Sequence, residues 1–424
     1  MPGPFPGRVI EVHHPGSVRP DWTVDAHAVG AMVDRGMKEL TGADDPREAW
    51  RTFFQPDDVV AIKVNPVGRQ PKPGEPGRVP GAVGAISNPE VLLKVVGSLK
   101  EAGVPPGNIV VFERYAEEFC DAGYDRVMTE RAMDGVRWYA SAVRYSDAQV
   151  DITGFDQGRD SCSPEMGRHV VGYDPDVFAV MGFAWDRHDP KDDRRFRSHL
   201  SVVVSRIASK VITLPVLKDH RSAGVTLSLK NMSHGMNNNV ARSHLGGIAH
   251  GMPDGSGVTV TGPNQCNTFI PTAVAQHALR RKATLHILDG LIGVYEGGPG
   301  CWNRTWGAWP YRSLLFATDP VALDHVGWDI LDAKRAREGW RPVGNMGLGY
   351  QPAGIEAAEV LAPLAGAHPA QTAALAAAGE TLRTGRASEV FDRRTPEHVI
   401  LAGQLGLGVF DAGRIDRRRV ALGG

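Results

Sequence analysis

The sequence predicts an α/β fold, with an open and mostly parallel sheet covered by helices. The first observation is a strand–helix–strand unit, in which an apolar run at 59–64 precedes a helical pattern at 88–103 and a short buried run at 109–112. The second is that strand and helix alternate again toward the carboxyl terminus. Because a helical crossover joins parallel strands with a right-handed connection, these units predict parallel neighbours.

Each predicted element rests on a local signal. Residues 8–12 predict an edge strand and residues 25–40 an amphipathic helix. In the first unit, Asn88 supplies an N-cap, Pro89 a proline at the first helical position, and Gly103 a helix end. The later elements are strands at 199–205, 211–217, 284–288 and 314–317, a helix at 268–281, a helix capped by Asp319 and Pro320 that runs to about 337, and a small final element at 399–409.

Two insertions and an extension complete the predicted organisation. We predict one α/β domain over residues 1–350 and a helical, Ala-rich extension over 351–424 that packs on it. The insertion at 66–81 contains five prolines and four glycines, which predicts a functional flap or a disordered loop. The insertion at 155–197 is polar and ends in a dense charge run, so we expect a solvated excursion.

Composition excludes several classes of protein. The net charge of −1 and the pI near 7.0 argue against nucleic acid as a partner, because there is no basic excess. No apolar run reaches the ~18 residues of a membrane span. The amino end has neither a basic start nor an apolar core, which predicts a cytoplasmic protein, or an exported one if the terminus has been trimmed. The four cysteines are widely spaced, so we expect no built-in iron–sulfur cluster.

The densest run of chemical side chains lies between Leu217 and His250, directly after an apolar run. It contains four histidines, two lysines and four asparagines. In open α/β sheets, ligands bind outside the carboxyl ends of the strands. We therefore expect the polar residues at predicted strand ends to meet at one rim: Lys63, Asn65, Glu113, Lys218, Asp219, His220, Asp289 and Asp319.

The lysines and histidines of this run have alternative interpretations. Lys218 and Lys230 can hold an anion, or one can act as a base if burial lowers its pKa, whereas an isolated lysine more often extends to solvent at an element edge. The histidines suit metal binding or proton transfer near neutral pH, although their spacing matches no zinc signature. His220 and His234 are the preferred pair among the four, which are His220, His234, His244 and His250.

The acidic residues further along are also ambiguous. Asp289 and Glu296 lie in a glycine-rich context and predict either metal ligands and a general base or an ordinary turn and loop. Asp319 is better explained as a helix cap. Residues 237–239 predict a turn first and substrate hydrogen bonding second. Cys266 opens a predicted helix, where a thiolate would be stabilised, although a plain small residue is the more common case.

Several blocks together resemble a known family. These are AIKVN, NPEVLLKVVGSLKEAGV, LPVLKDHRSAGVTLSLKNMSHG, LHILDGLIGVYEGGPG and LLFATDPVALDHVGWDIL. They are similar to the bacterial and archaeal domain-of-unknown-function family 362, over about residues 59–333. The resemblance implies an α/β domain, often fused to or encoded with ferredoxin-type segments, and no settled activity. The ferredoxin cysteines are missing here. The residues to which the resemblance points are Lys63, Asn65, Lys218, His220, Lys230, Asn231, Asp289, Glu296 and Asp319.

These observations lead to three hypotheses. The first is an enzyme, an oxidoreductase, isomerase or hydrolase, that acts on a small anionic molecule with help from a divalent metal. The second is a non-catalytic module that binds a ligand or cofactor or assists iron–sulfur maturation. The third is an exported redox partner using Cys266. An oligomer is possible in each. The first assigns substrate binding to Lys63, Asn65 and Asn231, catalysis to Lys218, His220, Lys230 and His234, and metal binding to Asp289, Glu296 and His220.

Overall fold

A computed structural model describes residues 1–69, 84–145, 149–155, 162–181, 184, 188–220, 222–244, 266–300, 306–340, 342–343 and 396–423. The strands are β1 (Arg8–His13), β2 (Val60–Lys63), β3 (Ile109–Tyr115), β4 (Arg137–Ala142), β5 (Tyr173–Val180), β6 (Arg197–Ser201), β7 (Lys210–Thr213), β8 (Val216–His220), β9 (Gly224–Val225), β10 (Ala283–Val294), β11 (Ala308–Ala317) and β12 (Asp416–Ala421).

The α-helices of the described residues range from one to five turns. They are α1 (Ala26–Thr41), α2 (Pro46–Arg51), α3 (Pro89–Ala102), α4 (Ala116–Asp121), α5 (Tyr124–Val127), α6 (Pro164–Gly167), α7 (Leu227–Ser233), α8 (Ala241–His244), α9 (Cys266–Val274), α10 (His277–Lys282), α11 (Pro320–Arg337) and α12 (Glu397–Gln404).

One large sheet organises the molecule. Its main path runs β12-β1-β11-β10-β7-β2-β3-β4, and β8 pairs with both β10 and β9. Every pairing along this path is parallel except the two made by β11, and the short pairing of β8 with β9 is antiparallel. The predicted α/β class, with an open and mostly parallel sheet, is confirmed.

The sheet has a hydrophobic core on each face, and alternation along the strands divides them. On β3, for example, Val110 and Phe112 point into one core, whereas Ile109 and Val111 point into the other. Helices α1 and α3 cover the second face, and α7, α9 and α11 cover the first. Central parallel strands therefore lie between two apolar layers, as expected for sheets with helices on both sides.

The best-predicted helices are those with explicit capping signals. The Asn88 side chain accepts a hydrogen bond from the Glu90 amide, and Gly103 closes α3 with a φ of +107°. Asp319 caps α11, which ends at Arg337 as predicted. Capping residues fix helix ends locally, and that explains why the sequence alone was sufficient here.

The sequence misplaced elements whose limits depend on distant partners. The predicted edge strand β1 lies inside the sheet, because β12 pairs along its outer side. The predicted end of β10 at Asp289 is wrong, since the strand continues to Val294 with a register shift after Gly290. Its antiparallel partner β11 supplies backbone hydrogen bonds beyond that point, and neither the partner's length nor its direction is encoded locally.

Two further predictions need correction. The predicted strand at 199–205 ends at Ser201 and continues as a π-helical turn over Val203–Ile207. The predicted helix at 268–281 is divided at Gln276, whose ψ of 134° is not helical and which is the N-cap residue of α10. In both cases tertiary contacts outweigh the local propensity of the residues. The insertion at 155–197 is more ordered than expected, because β5 lies within it and pairs with β6.

The division of the chain at about residue 350 remains a prediction. Most of the insertion at 66–81 and most of the extension at 351–424 lie outside the described residues. The described part of the extension includes α12, whose Val399 and Ala402 are buried in the same core as α9. Among the described helices, none combines the length and the apolar character that crossing a bilayer requires.

Candidate functional site

A pocket of about 250 Å³ opens where β2, β3 and β8 end, against helix α7. This is the edge of the sheet at which parallel strands present their carboxyl ends and at which α/β proteins bind ligands. Seven of the residues predicted from the sequence line the pocket. They are Lys63, Asn65, Glu113, His220, Lys230, Asn231 and His234.

Neighbouring strands place a buried ion pair in the wall of the pocket. Lys63 is the last residue of β2 and lies opposite Phe112 of β3, one residue before Glu113. Its ammonium donates to Glu113 Oε2 at 2.5 Å and to the Val64 carbonyl at 2.7 Å. Burial lowers the pKa of Lys63, and the Glu113 charge opposes that effect. The pair contributes little net charge to the pocket because its charges compensate each other.

Gly235 allows the backbone after α7 to approach this ion pair. A Cβ at this position would lie 2.8 Å from Lys63 Nζ and 2.2 Å from the Asn231 carbonyl oxygen. Any other residue would force the two segments apart. The glycine is therefore required by close approach of the backbone to the Lys63 side chain.

Helix α7 is held in place by a buried carboxylate on α11. Asp324 accepts hydrogen bonds from the amides of Ser228 and Leu229 at 2.7 and 2.8 Å. These amides belong to the first turn of α7, whose N–H groups have no partner within the helix. Gly327 leaves space for Leu227, since a Cβ there would be 2.9 Å from the leucine side chain. The result is a helix whose position relative to the pocket is fixed.

Lys230 and Asn231 project from α7 into the pocket wall. Burial lowers the pKa of Lys230 to about 8; nearby Cys266 opposes the shift and Arg114 adds to it. At neutral pH the ammonium therefore remains largely charged. Asn231 is 4% exposed, and neither its Nδ2 nor its Oδ1 has a hydrogen-bond partner within the described structure. Buried polar groups normally have partners, so this amide is exceptional.

His220 is oriented by the turn that follows β8. Its Nδ1 accepts hydrogen bonds from the amides of Ser222 and Ala223 at 3.0 and 3.1 Å. A ring nitrogen that accepts carries no proton, so the neutral ring carries its proton on Nε2. A proton on Nδ1 would point toward the two backbone N–H groups that now donate to this atom. In this tautomer Nε2 is the hydrogen-bond donor of the ring.

His234 is bound on both ring nitrogens by hydroxyl groups. Nδ1 lies 3.1 Å from Ser233 Oγ, and Nε2 lies 2.8 Å from Ser243 Oγ. Cys266 Sγ is 3.9 Å from Nε2, on the interior side of the ring. Burial raises the pKa of the Cys266 thiol to about 11, although Lys230 and Ser243 oppose the shift. This buried thiol lacks the thiolate character expected of a reactive cysteine.

Four charged or polar residues of the pocket were missed by the sequence analysis: Arg114, Glu118, Tyr145 and Thr226. Arg114 follows Glu113 on β3, and its guanidinium donates to the His234 carbonyl. Glu118 lies on α4, which begins directly after β3. Burial and the charge of Glu113 raise the pKa of Glu118 to about 7. Examining the first helical turn after each strand, as well as the strand end, would have identified Glu118.

Lys218 lies beside the pocket and is engaged by backbone carbonyls. Its Nζ donates to the Val67 carbonyl, to the Ala85 carbonyl at 3.3 Å and to Asn65 Oδ1 at 3.3 Å. Burial, followed by the charge of Lys230, lowers the pKa of Lys218 to about 7. This lysine connects the two chain segments that flank residues 70–83. It does not line the pocket itself.

Of the acidic residues predicted from the sequence, Glu113 lines the pocket, whereas Asp289, Glu296 and Asp319 do not. Asp289 is inside β10, where it accepts from the Asn88 amide at 2.7 Å and the Leu291 amide at 3.0 Å. Glu296 forms a fully buried ion pair with Arg335. Asp319 follows β11, whose antiparallel direction puts its carboxyl end at the opposite edge of the sheet. The expectation of one common rim is therefore wrong for Asp319. Asp289 does lie at the pocket edge of the sheet, three residues beyond His286, which is level with Thr213 and Lys63, but it does not line the pocket.

The predicted metal ligands do not fit a divalent cation. Asp289 and Glu296 are absent from the lining of the pocket that contains His220. His220 Nδ1 is occupied by two donors, and its Nε2 carries the proton in the neutral form. Across the residues that the structure describes, no three His, Cys, Asp or Glu side chains are grouped as a metal site would require. We therefore derive no chemistry through a metal ion.

Comparison with known proteins gives a similarity to one family and no activity. No curated protein matches the chain. A family model described as "Domain of unknown function (DUF362)" matches residues 180–329, a segment that includes β8, α7 and β10. Lys230, Asn231 and His220 lie within the match, whereas Lys63 and Glu118 lie before it. The match supports the resemblance drawn from the sequence: residues 180–329 of this protein are similar to the DUF362 domain.

Proposed function

We propose that this protein is an enzyme that binds a small organic anion in the pocket and removes a proton from it and returns one to it. The observation that supports this is a single cavity lined by Lys230, Arg114 and Glu118. Its volume of about 250 Å³ is close to the lower limit, roughly 300 Å³, of ordinary small-molecule pockets. A ligand of this size is a small metabolite and not a peptide or a nucleic acid.

The charges of the lining favour an anion. Lys63 and Glu113 compensate each other at 2.5 Å. The other lysine, arginine and carboxyl side chains of the lining are the cations Lys230 and Arg114 and the carboxyl of Glu118. Because the pKa of Glu118 is raised to about 7, this carboxyl is partly protonated at neutral pH. The pocket therefore has a positive balance in a partly enclosed space, where Coulomb attraction is stronger than in water.

Two lining groups are suited to proton transfer near neutral pH. General acid–base catalysis is most efficient when the pKa of the group is close to the working pH, and Glu118 and Lys230 have pKa values of about 7 and 8. In this proposal the Glu118 carboxylate accepts a proton from the bound acid. The Lys230 ammonium and the Nε2–H of His220 stabilise the negative charge that develops. Of the predicted reaction classes, an isomerase requires no further component.

The experiment combines binding and exchange on the purified full-length chain. Titration calorimetry with C2–C4 carboxylic acids should detect binding, and Lys230→Met should weaken it by about tenfold or more, the equivalent of ~1.4 kcal/mol. Lys94→Met is the matched control, because Lys94 forms a surface ion pair with Asp34 away from the pocket. This control should bind like the wild type.

Proton transfer is then followed by NMR in D₂O. The wild type should replace the C–H adjacent to the carboxylate with deuterium, and Glu118→Gln should bind the acid without exchanging it. Binding without exchange in the wild type would favour the alternative of a non-catalytic ligand-binding module. If none of the acids binds at millimolar concentration, the anion pocket itself is refuted.

A further inference from the structure

The side-chain amide of Asn231 differs from the other buried amides of the molecule. Neither Nδ2 nor Oδ1 has a hydrogen-bond partner, and the residue is 4% exposed and lines the pocket. By contrast, Asn237 donates to the Ser233 carbonyl and accepts from Gln276. Within the described part of the chain, Asn231 is the one buried side-chain amide with both atoms unpartnered. Exchanging the positions of Nδ2 and Oδ1 of Asn231 would leave both atoms without a partner as well.

A buried amide without hydrogen-bond partners determines which hydrogen-bonding groups its ligand must have. Leaving a buried donor or acceptor without a partner costs about 1–3 kcal/mol for each group. Solvent in the pocket can reduce that cost, but a ligand that displaces the solvent must replace both hydrogen bonds or lose affinity. The ligand therefore has to present one acceptor and one donor to Asn231. A fully ionised inorganic anion or a plain carboxylate presents acceptors only.

The charged groups place the anionic end of the ligand next to the same amide. Lys230 precedes Asn231 on α7, and both side chains line the pocket. Arg114 lines it from β3, and the Nε2–H of His220 adds a neutral donor. A carboxylate among these groups brings substituents on its neighbouring carbon within reach of Asn231. A hydroxyl at that carbon supplies the donor that the amide oxygen lacks.

We infer, on the basis of the proposed function, that the ligand is an organic acid with a hydrogen-bond donor next to its carboxylate, of the α-hydroxy acid type. Asn231 is the residue that selects it. Its amide nitrogen donates to the acid and its amide oxygen accepts from the hydroxyl group. A site built to bind a hydroxyl discriminates strongly against an analogue without it, because its own polar groups are then left unpaired.

The test compares acids that differ only by this hydroxyl group. Affinities of the full-length protein are measured by calorimetry for glycolate against acetate, lactate against propionate and malate against succinate. In at least one pair, the hydroxy acid should bind about tenfold or more tightly, corresponding to one hydrogen bond of ~1.4 kcal/mol. Asn231→Leu, of similar volume, should reduce that ratio to about one. Asn108→Leu is the control, because Asn108 precedes β3 at the opposite edge of the sheet.

The outcomes separate this inference from the proposed function. If the acids bind but the hydroxyl makes no difference in the wild type, the ligand class is wrong while the anion pocket stands. This comparison needs no variant and is independent of whether Asn231→Leu folds. If the preference persists in Asn231→Leu, the hydroxyl is recognised elsewhere and the role of Asn231 is refuted. If no acid of any pair binds, the inference fails together with the proposed function.

Discussion

Two groups of buried polar residues in this molecule differ in their hydrogen bonding. Asp289, Asp319 and Asp324 are buried carboxylates whose two oxygens each accept hydrogen bonds from backbone amides. In the pocket, Asn231 has no partner, and no hydrogen bond to the Glu118 carboxylate is found within the described residues. The first group positions strands and helices. The second retains hydrogen-bonding capacity for a ligand.

Structural carboxylates and pocket residues differ in whether their hydrogen-bonding groups are already used. Burial and a shifted pKa occur in both groups, since burial raises the pKa of Asp289 to about 6 and that of Glu118 to about 7. A perturbed pKa alone therefore does not locate function, as structural networks also produce it. The difference is whether the donors and acceptors are already used within the protein.

The largest effect should come from Asp319, which accepts from the amides of Val321, Ala322, Gly7 and Val409 at 2.9–3.0 Å. Asp319→Ala leaves four amides without an acceptor and should lower the free energy of unfolding by about 3–5 kcal/mol. Urea denaturation measures this.

The control for that measurement is Asp25→Ala at the partly exposed N-cap of α1, where we expect about 1 kcal/mol. The folded fraction of Asp319→Ala should bind organic acids like the wild type. Equal destabilisation by the two substitutions would remove the distinction between this carboxylate and an ordinary cap.

A slightly smaller effect is expected for the buried pair Glu296 and Arg335, whose side chains are fully buried. Either Glu296→Gln or Arg335→Met alone should lower the free energy of unfolding by about 3 kcal/mol, because a buried charge loses its partner. The double variant should be more stable than the sum of the single effects predicts, as measured in a double-mutant cycle. Strict additivity would show that the two groups do not interact.

The third prediction concerns pH and is specific to the pocket. Anion binding requires a protonated Lys230, whose pKa is about 8, and is opposed by an ionised Glu118, whose pKa is about 7. Affinity for an organic acid should therefore fall by about tenfold or more between pH 6 and pH 9.

Two variants show which residue causes each part of the fall in affinity with pH. Glu118→Gln should remove the decline around pH 7 and retain the one above pH 8, where Lys230 loses its proton beside Arg114 and Cys266. Lys230→Met should bind weakly and lose the upper step. Affinity that rises with pH would be incompatible with the proposed arrangement, whatever its size.

The sequence predicted those parts of the fold that depend on local signals. The capping residues Asn88 and Asp319 predicted the starts of two helices, and apolar runs predicted the central strands. The direction of β11 and the outer position of β12 were not predictable, because they depend on pairing between residues about 300 to 400 positions apart. That direction is also why Asp319, a residue at a strand end, lies at the wrong edge for the pocket.

For the site, residue type and position after a strand were informative but incomplete. They indicated Lys63, His220 and Lys230, which do line the pocket. They did not separate Lys230 from Lys218, since the carbonyls that engage Lys218 come from Val67 and Ala85, more than a hundred residues earlier. Whether a polar side chain already has hydrogen-bond partners within the protein depends on the folded structure. It could not be predicted from the sequence.

The most direct test of the central claim is a crystal structure of the full-length protein with glycolate at saturating concentration. We predict a bound acid in the pocket, with its carboxylate near Lys230 and its hydroxyl within about 3.2 Å of the Asn231 side chain. An Asn231 amide hydrogen-bonded to protein groups, with the acid absent from the pocket, would contradict the account.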